Sequence, residues 1–116
     1  GKEYLDFVGG WAVNSLGHCH PALVGAIQEQ ANTLIHTSNQ FYTIPQIRFA
    51  QLLVENSSLD RIFFSSSGAE ANEGAVKLAR RYGRLHLDGA YELITAMNSF
   101  HGRTLAMVAA TGQGKF

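Results

Sequence analysis

The stretch Phe63-Phe64-Ser65-Ser66-Ser67-Gly68-Ala69-Glu70-Ala71-Asn72-Glu73 decides how this chain is read. An apolar run stops at three serines and a glycine, and small and acidic residues then open a helical pattern. A strand that passes into a helix through such a turn leaves the first helical N–H groups without intrahelical partners. Together with the helix dipole, those groups favour an anion, above all a phosphate. Gly68 lets a ligand approach the backbone closely, and Ala69 adds an N–H without bulk. The same residues also suit a plain helix start, with Ser67 as its cap and Gly68 as its turn. The turn is not a Walker loop, because no Gly-Lys-Ser/Thr follows, and it lacks the glycine spacing of a dinucleotide-binding fold.

Beyond the turn, Ala71, Ala75, Leu78, Ala79 and Tyr82 share one helical stripe. Glu73 and Lys77 stand at i and i+4 and are expected to pair, and Gly83 reads as the helix stop. Arg61-Ile62-Phe63-Phe64 reads as a strand buried on both faces of a parallel sheet. Glu92-Leu93-Ile94-Thr95-Ala96 is expected to be the next strand, which implies a right-handed crossover in an α/β fold. The period of Leu105–Ala110 does not decide between helix and strand.

Upstream, Tyr4, Leu5, Phe7 and Val8 predict a short strand ending at Gly9-Gly10, and Trp11, Val13 and Leu16 fit its continuation. Pro21 suits a first helical turn. Leu23, Ile27, Ala31 and Leu34 then predict a helix from about Pro21 to about Leu34. Thr43, ahead of Pro45, is the expected cap of a second helix whose apolar face is Ile47, Ala50, Leu53 and Val54.

In open parallel sheets, ligands bind beyond the carboxyl ends of the strands. Two loops are expected there: Ser65–Ala69, and Met97–Thr104 with its run Ser99-Phe100-His101-Gly102-Arg103-Thr104. A phenylalanine just past a strand end can lie against a flat ring by offset stacking. An arginine three residues on can hold a carboxylate through paired N–H groups. His101 can orient either partner. Taken singly, Phe100 also reads as packing, His101 as a hydrogen-bonded loop residue and Arg103 as a surface charge. Taken together, the loops suggest a site for a flat phosphorylated cofactor and a carboxylate substrate.

The 116 residues carry 9 Lys and Arg against 9 Asp and Glu, so the formal net charge is zero. That argues against a broad footprint for nucleic acid or an anionic membrane. Arg80-Arg81-Arg84 reads as one solvated helix face. Cys19 is alone, which rules out a disulfide within the sequence and fits a reducing compartment. His18 and His20 flank it, but no second cluster with ligand spacing accompanies them, and a turn with a capping histidine fits better than a metal. No apolar run is long enough to cross a bilayer, and the cytoplasm is the expected location. The sequence opens on a strand in progress, lacks an initiator methionine and stops just beyond an apolar run, so a piece of something larger is expected.

With these residues in view, the chain resembles the class III pyridoxal-phosphate-dependent aminotransferases. The stretches that carry the likeness are Asp6-Phe7-Val8-Gly9-Gly10, Gly17-His18-Cys19-His20-Pro21, Ser67–Glu73 with Lys77-Leu78-Ala79-Arg80, and Ser99–Thr104, in family order and spacing from end to end. Ser38–Tyr42, Asp60–Phe64 and Ala109–Gln113 resemble the branch that acts on acetylated ornithine. Ser66 stands where the family often has asparagine, and Gly114 where it often has proline.

The resemblance implies a fold-type-I architecture and a homodimer. Residues 1–40 would form an N-terminal segment, and 41–116 the first part of the cofactor domain with its mainly parallel sheet. It implies that Gly68 and Ala69 offer backbone N–H groups to the phosphate of pyridoxal phosphate, that Phe100 covers one face of the pyridine ring, and that Arg103 binds the substrate carboxylate. It implies amino transfer from the terminal amine of N-acetylornithine to 2-oxoglutarate, giving glutamate. The lysine that binds the cofactor covalently and the aspartate that meets its ring nitrogen fall, by that likeness, in motifs outside this sequence, so these residues alone are expected to be inactive. Ornithine, succinylornithine or 4-aminobutyrate stay open as amine donors. A non-catalytic phosphate- or nucleotide-binding module also remains open; it accounts for the first loop but leaves Phe100 and Arg103 without a task.

Overall fold

In the computed structural model, residues 1–115 are described. They divide into two compact units, Gly1–Phe49 and the residues from Ala50 onward.

The first unit opens on an exposed segment without regular structure rather than the expected strand, and no strand pairing involves Tyr4–Val8 among the described residues. A strand needs a hydrogen-bonded neighbour, and this segment lacks one. It leads into a four-residue turn, α1 (Gly9–Ala12), which is left-handed. Gly9, Gly10, Trp11 and Ala12 have φ of 57, 60, 62 and 62°. The glycines accept this freely, whereas Trp11 and Ala12 each cost about 1–2 kcal/mol.

Asp6 holds the turn from outside. Its Oδ1 accepts from the N–H groups of Val8 and Gly9, both at 2.9 Å. Its Oδ2 meets His18 Nε2 at 2.7 Å, and His18 Nδ1 lies 3.2 Å from Asn14 Nδ2. The Gly17–Pro21 motif is thereby explained: His18 braces a turn twelve residues away in sequence from its partner Asp6. His20 does occupy the N-cap position of α2 (Pro21–Thr33), but its side chain makes no cap hydrogen bond, contrary to expectation. Its Nδ1 is buried without a partner among the described residues. The bounds of α2 agree with the apolar spacing. The next helix, α3 (Ile44–Glu55), starts directly after Thr43 and runs through the point where the units divide.

The second unit is organised around α4 (Gly68–His86). Ser67 caps it, with its Oγ accepting from the Glu70 N–H at 3.3 Å while its hydroxyl lies 3.2 Å from the Glu70 carboxylate. These reciprocal contacts between N-cap and N3 resemble a capping box. The helix does not stop at Gly83. Gly83 is buried, and a Cβ there would collide with the Ala90 carbonyl. The residue is small because the chain returning from the helix passes directly over it, and Leu87 and Gly89 both donate to its carbonyl. Arg80 also departs from the expected solvated face, since its Nε donates to the Tyr91 carbonyl at 3.1 Å.

Contrary to expectation, Arg61–Phe64 and Glu92–Ala96 form no strand ladder among the described residues. Among the described residues the parallel direction appears in a bridge between Met97 and Gly112, with the Asn98 N–H donating to the Gly112 carbonyl at 2.5 Å. Between these bridge partners, Leu105–Ala110 forms a short helix, α5, capped by Thr104. Met107 on α5 and the adjacent Thr111 are buried, with exposures of 1% and 5%. Many large apolar side chains stay uncovered, among them Phe63 and Ile94.

Candidate functional site

The Ser67 cap settles which amides are left at the start of α4. The Ala71 N–H reaches the Ser67 carbonyl and the Glu70 N–H reaches the Ser67 hydroxyl. The N–H groups of Gly68 and Ala69 are taken by no hydrogen bond among the described residues. A Cβ built on Gly68 would meet no atom within 4 Å, so the space beside this backbone is open. Two free amides at the positive end of a nineteen-residue helix, next to open space, fit a phosphate.

The second loop lies directly against this turn. Gly102, at φ 131°, packs so tightly that a Cβ on it would fall 2.6 Å from the Ala69 Cβ and 2.9 Å from its Cα. The neighbouring residues are tied to α4 and α5. Asn72 Nδ2 donates to the His101 carbonyl at 2.8 Å. The His101 N–H donates to Thr111 Oγ1 at 3.1 Å, and that hydroxyl donates to the Met107 carbonyl at 2.8 Å. Thr104 Oγ1 donates to Glu73 Oε1 at 2.6 Å. Gln113 Nε2 donates to the Ser99 carbonyl at 2.7 Å, fixing the start of the loop.

The loop is therefore held at Ser99, His101, Gly102 and Thr104, while Phe100 and Arg103 are exposed. Phe100 keeps 59% of its surface open, so it is a displayed ring and not a packed one. The structure brings Ala69 and Gly102 into contact. An open cleft beside α4 is lined by Ser65, Ser66, Glu70, Glu73, Lys77 and Thr104, and Gly68, Ala69, Phe100 and Arg103 are not among its lining residues. Glu73 and Lys77 form no ion pair among the described residues, because the Glu73 carboxylate turns to Thr104 instead. The buried Ser99 Oγ and His101 Nε2, either side of Phe100, have no partner among the described residues.

Asn72, Thr104 and Thr111 are the residues that sequence reading did not assign to this site. Asn72 and Thr104 lie inside stretches singled out for other reasons, and only their partners, 29 and 31 residues away, reveal the task.

The family model described as aminotransferase class-III matches residues 1–116. The chain is 60% identical over 117 residues to the acetylornithine aminotransferase of Caldanaerobacter subterraneus subsp. tengcongensis, covering all of this chain and 30% of that protein. It is 59% identical over 118 residues to the acetylornithine aminotransferase of Methanocaldococcus jannaschii, again covering all of this chain and 29% of the relative. The chain thus spans about 30% of the length of these curated relatives. Its backbone matches a crystal structure of ornithine aminotransferase from Toxoplasma gondii with a TM-score of 0.86 and 30% identity, over 96% of this chain and 27% of that one. A second structure of that enzyme, with partial occupancy of pyridoxal phosphate at its active site, matches with a TM-score of 0.77 and 32% identity, over 90% of this chain and 26% of that one. The fold is a part of fold type I. The chain belongs to the class III aminotransferases, whose cofactor is pyridoxal phosphate.

Proposed function

We propose that the whole protein is an aminotransferase that moves the terminal amine of N-acetylornithine to 2-oxoglutarate, leaving an aldehyde and forming glutamate. The observation that carries this reading is the contact between Gly102 and Ala69, which sets the loop bearing Phe100 and Arg103 against the turn bearing the free Gly68 and Ala69 amides. Pyridoxal phosphate, when bound, takes up the electron pair left on the substrate carbon after its proton is removed.

The residues of this chain would hold and aim. The Gly68 and Ala69 amides donate to the phosphate oxygens and add the positive end of the α4 dipole. Phe100 lies against the flat ring and excludes water from that face. The Arg103 guanidinium pairs with a substrate carboxylate and fixes which end of the substrate faces the reacting carbon. Proton transfer requires a base that these residues do not supply.

The relatives at 59–60% identity are named for acetylornithine, whereas the structural neighbours at 30–32% are named for ornithine. Higher identity favours the acetylated donor. By likeness to the family, the whole protein would work as a homodimer in the cytoplasm. The test is to add pyridoxal phosphate to the whole protein and record its visible spectrum. Glutamate formation is then followed with N-acetylornithine, ornithine, succinylornithine and 4-aminobutyrate in turn. A bound-cofactor band with fastest turnover of N-acetylornithine is expected. Absence of the band, or a preference for another amine, overturns the corresponding half of the proposal.

A further inference from the structure

Phe100 and Arg103 are displayed by a loop that is tied to side chains of α4. Asn72 Nδ2 holds the carbonyl of His101, the residue after Phe100, at 2.8 Å. Glu73 Oε1 takes the hydroxyl of Thr104, the residue after Arg103, at 2.6 Å. These two anchors occupy consecutive positions in the second turn of the helix that begins with Gly68 and Ala69. Gly102, between the two anchored residues, rests on Ala69. The ring-covering residue and the carboxylate-binding residue are thus each fixed one position downstream, to the same helix that would hold the phosphate.

We infer that Asn72 and Glu73 are positioning residues: Asn72 sets where Phe100 lies, and the Glu73–Thr104 hydrogen bond sets how far Arg103 stands from the phosphate turn. This rests on the proposed function above and adds a division of labour to it. One helix would fix the phosphate with its backbone while its side chains fix both the ring cover and the carboxylate clamp. Loss of a hydrogen bond to a charged acceptor leaves Thr104 held only by its cap contact with the Met107 N–H, and the loop before it can shift away from α4. Small displacements of a positioning group are felt strongly in binding geometry.

The test uses the whole protein with its cofactor. Glu73→Ala removes the acceptor without touching the cap of α5. Glu73→Gln and Thr104→Ser each retain a hydrogen-bonding route between the two side chains, and Thr104→Val removes it. For Glu73→Ala and Thr104→Val, the dissociation constant of succinate, an unreactive dicarboxylate, is expected to rise about tenfold. Retention of pyridoxal phosphate should stay at the wild-type level. Glu73→Gln and Thr104→Ser should stay near wild type, and Glu73→Ala combined with Thr104→Val, which also removes the α5 cap, should be no worse than Thr104→Val alone. Asn72→Ala should instead change the induced circular dichroism of the bound cofactor, with Asn72→Asp restoring less of it because the amide donor is lost.

Unchanged succinate affinity in Glu73→Ala, or full additivity in the double variant, overturns the role of Glu73. An unchanged cofactor dichroism in Asn72→Ala overturns that of Asn72. If the wild-type protein itself retains no pyridoxal phosphate, the proposed function fails first, and that outcome is distinct from both.

Discussion

Gly102 sits against Ala69 with no room for a side chain: a Cβ on Gly102 would lie 2.6 Å from the Ala69 Cβ and 3.3 Å from the Met107 Cβ. Its φ of 131° is also one that residues with a side chain rarely adopt. Gly102→Ala therefore meets two obstacles, backbone strain and a clash with helix backbone that cannot swing away. The expected outcome is a loss of about 2–4 kcal/mol of stability, together with weaker cofactor retention, because the loop must lift off the phosphate turn. Thermal unfolding and pyridoxal phosphate titration of the whole protein measure both. A variant of normal stability that retains its cofactor would show that the contact is not needed to join the loops.

Gly68 poses the opposite case. Nothing lies within 4 Å of a Cβ built there, and its φ is not in the left-handed region. Gly68→Ala should leave folding intact or stabilise it by about 0.5–1 kcal/mol through the unfolded chain. If the proposed phosphate site is right, the added methyl still occupies ligand space, and Gly68→Val does so more severely. Cofactor affinity should fall from glycine to alanine to valine while the melting temperature stays level or rises. Equal affinity across the series would remove Gly68 from the site.

Arg103 is exposed on the loop that Gly102 and Thr104 anchor. Arg103→Ala should raise the KM for both N-acetylornithine and glutamate, with cofactor binding unaffected. The loss of a charge-assisted pair is worth about 1.5–3 kcal/mol, which corresponds to a change of roughly ten- to a hundredfold. Arg103→Lys should recover only part of it, since an ammonium cannot make the paired contact. Steady-state kinetics with both substrates decide the matter, and an unchanged KM would remove Arg103 as the carboxylate clamp.

Helices α2, α3 and α4 were legible in sequence because their signals are local. Pro21 and the spacing of Leu23, Ile27 and Ala31 mark α2, and Ser67 with Glu70 three residues later marks the start of α4. The free amides of Gly68 and Ala69 follow from that cap alone. What escaped reading depends on residues far apart. Gly83 resembles a stop in any local window, yet α4 continues through it to His86, and the close pass of Ala90 is what requires a glycine. Glu73 looks matched to Lys77 one turn on, but the loop carries Thr104 to it from 31 residues away. The left-handed turn at Gly9–Ala12 is hidden for the same reason, because its brace is the long-range meeting of Asp6 with His18. Glu92–Ala96 has the composition of a strand, but a strand forms only where a hydrogen-bonding neighbour is present, and no local pattern names that neighbour.

That brace makes the acid response of the first unit specific. The Asp6 carboxyl is held at about 2, below its ordinary value of 3.8, first by the Gly9 N–H, then by the His18 side chain and the Val8 N–H. A carboxyl depressed in the folded state contributes stability that is complete above its ordinary value and is lost as pH falls through the lowered one. The brace should therefore persist at pH 3, where an ordinary aspartate is largely protonated, and release near pH 2. Carbon-13 NMR of the carboxyl groups, with the Asp6 signal assigned by its disappearance in Asp6→Asn, should find this group still ionised at pH 3. Its midpoint should move toward 3.8 in His18→Ala but remain below it, because the Gly9 and Val8 amides still donate. A wild-type midpoint at the ordinary value would mean that Asp6 does not hold the left-handed turn in solution.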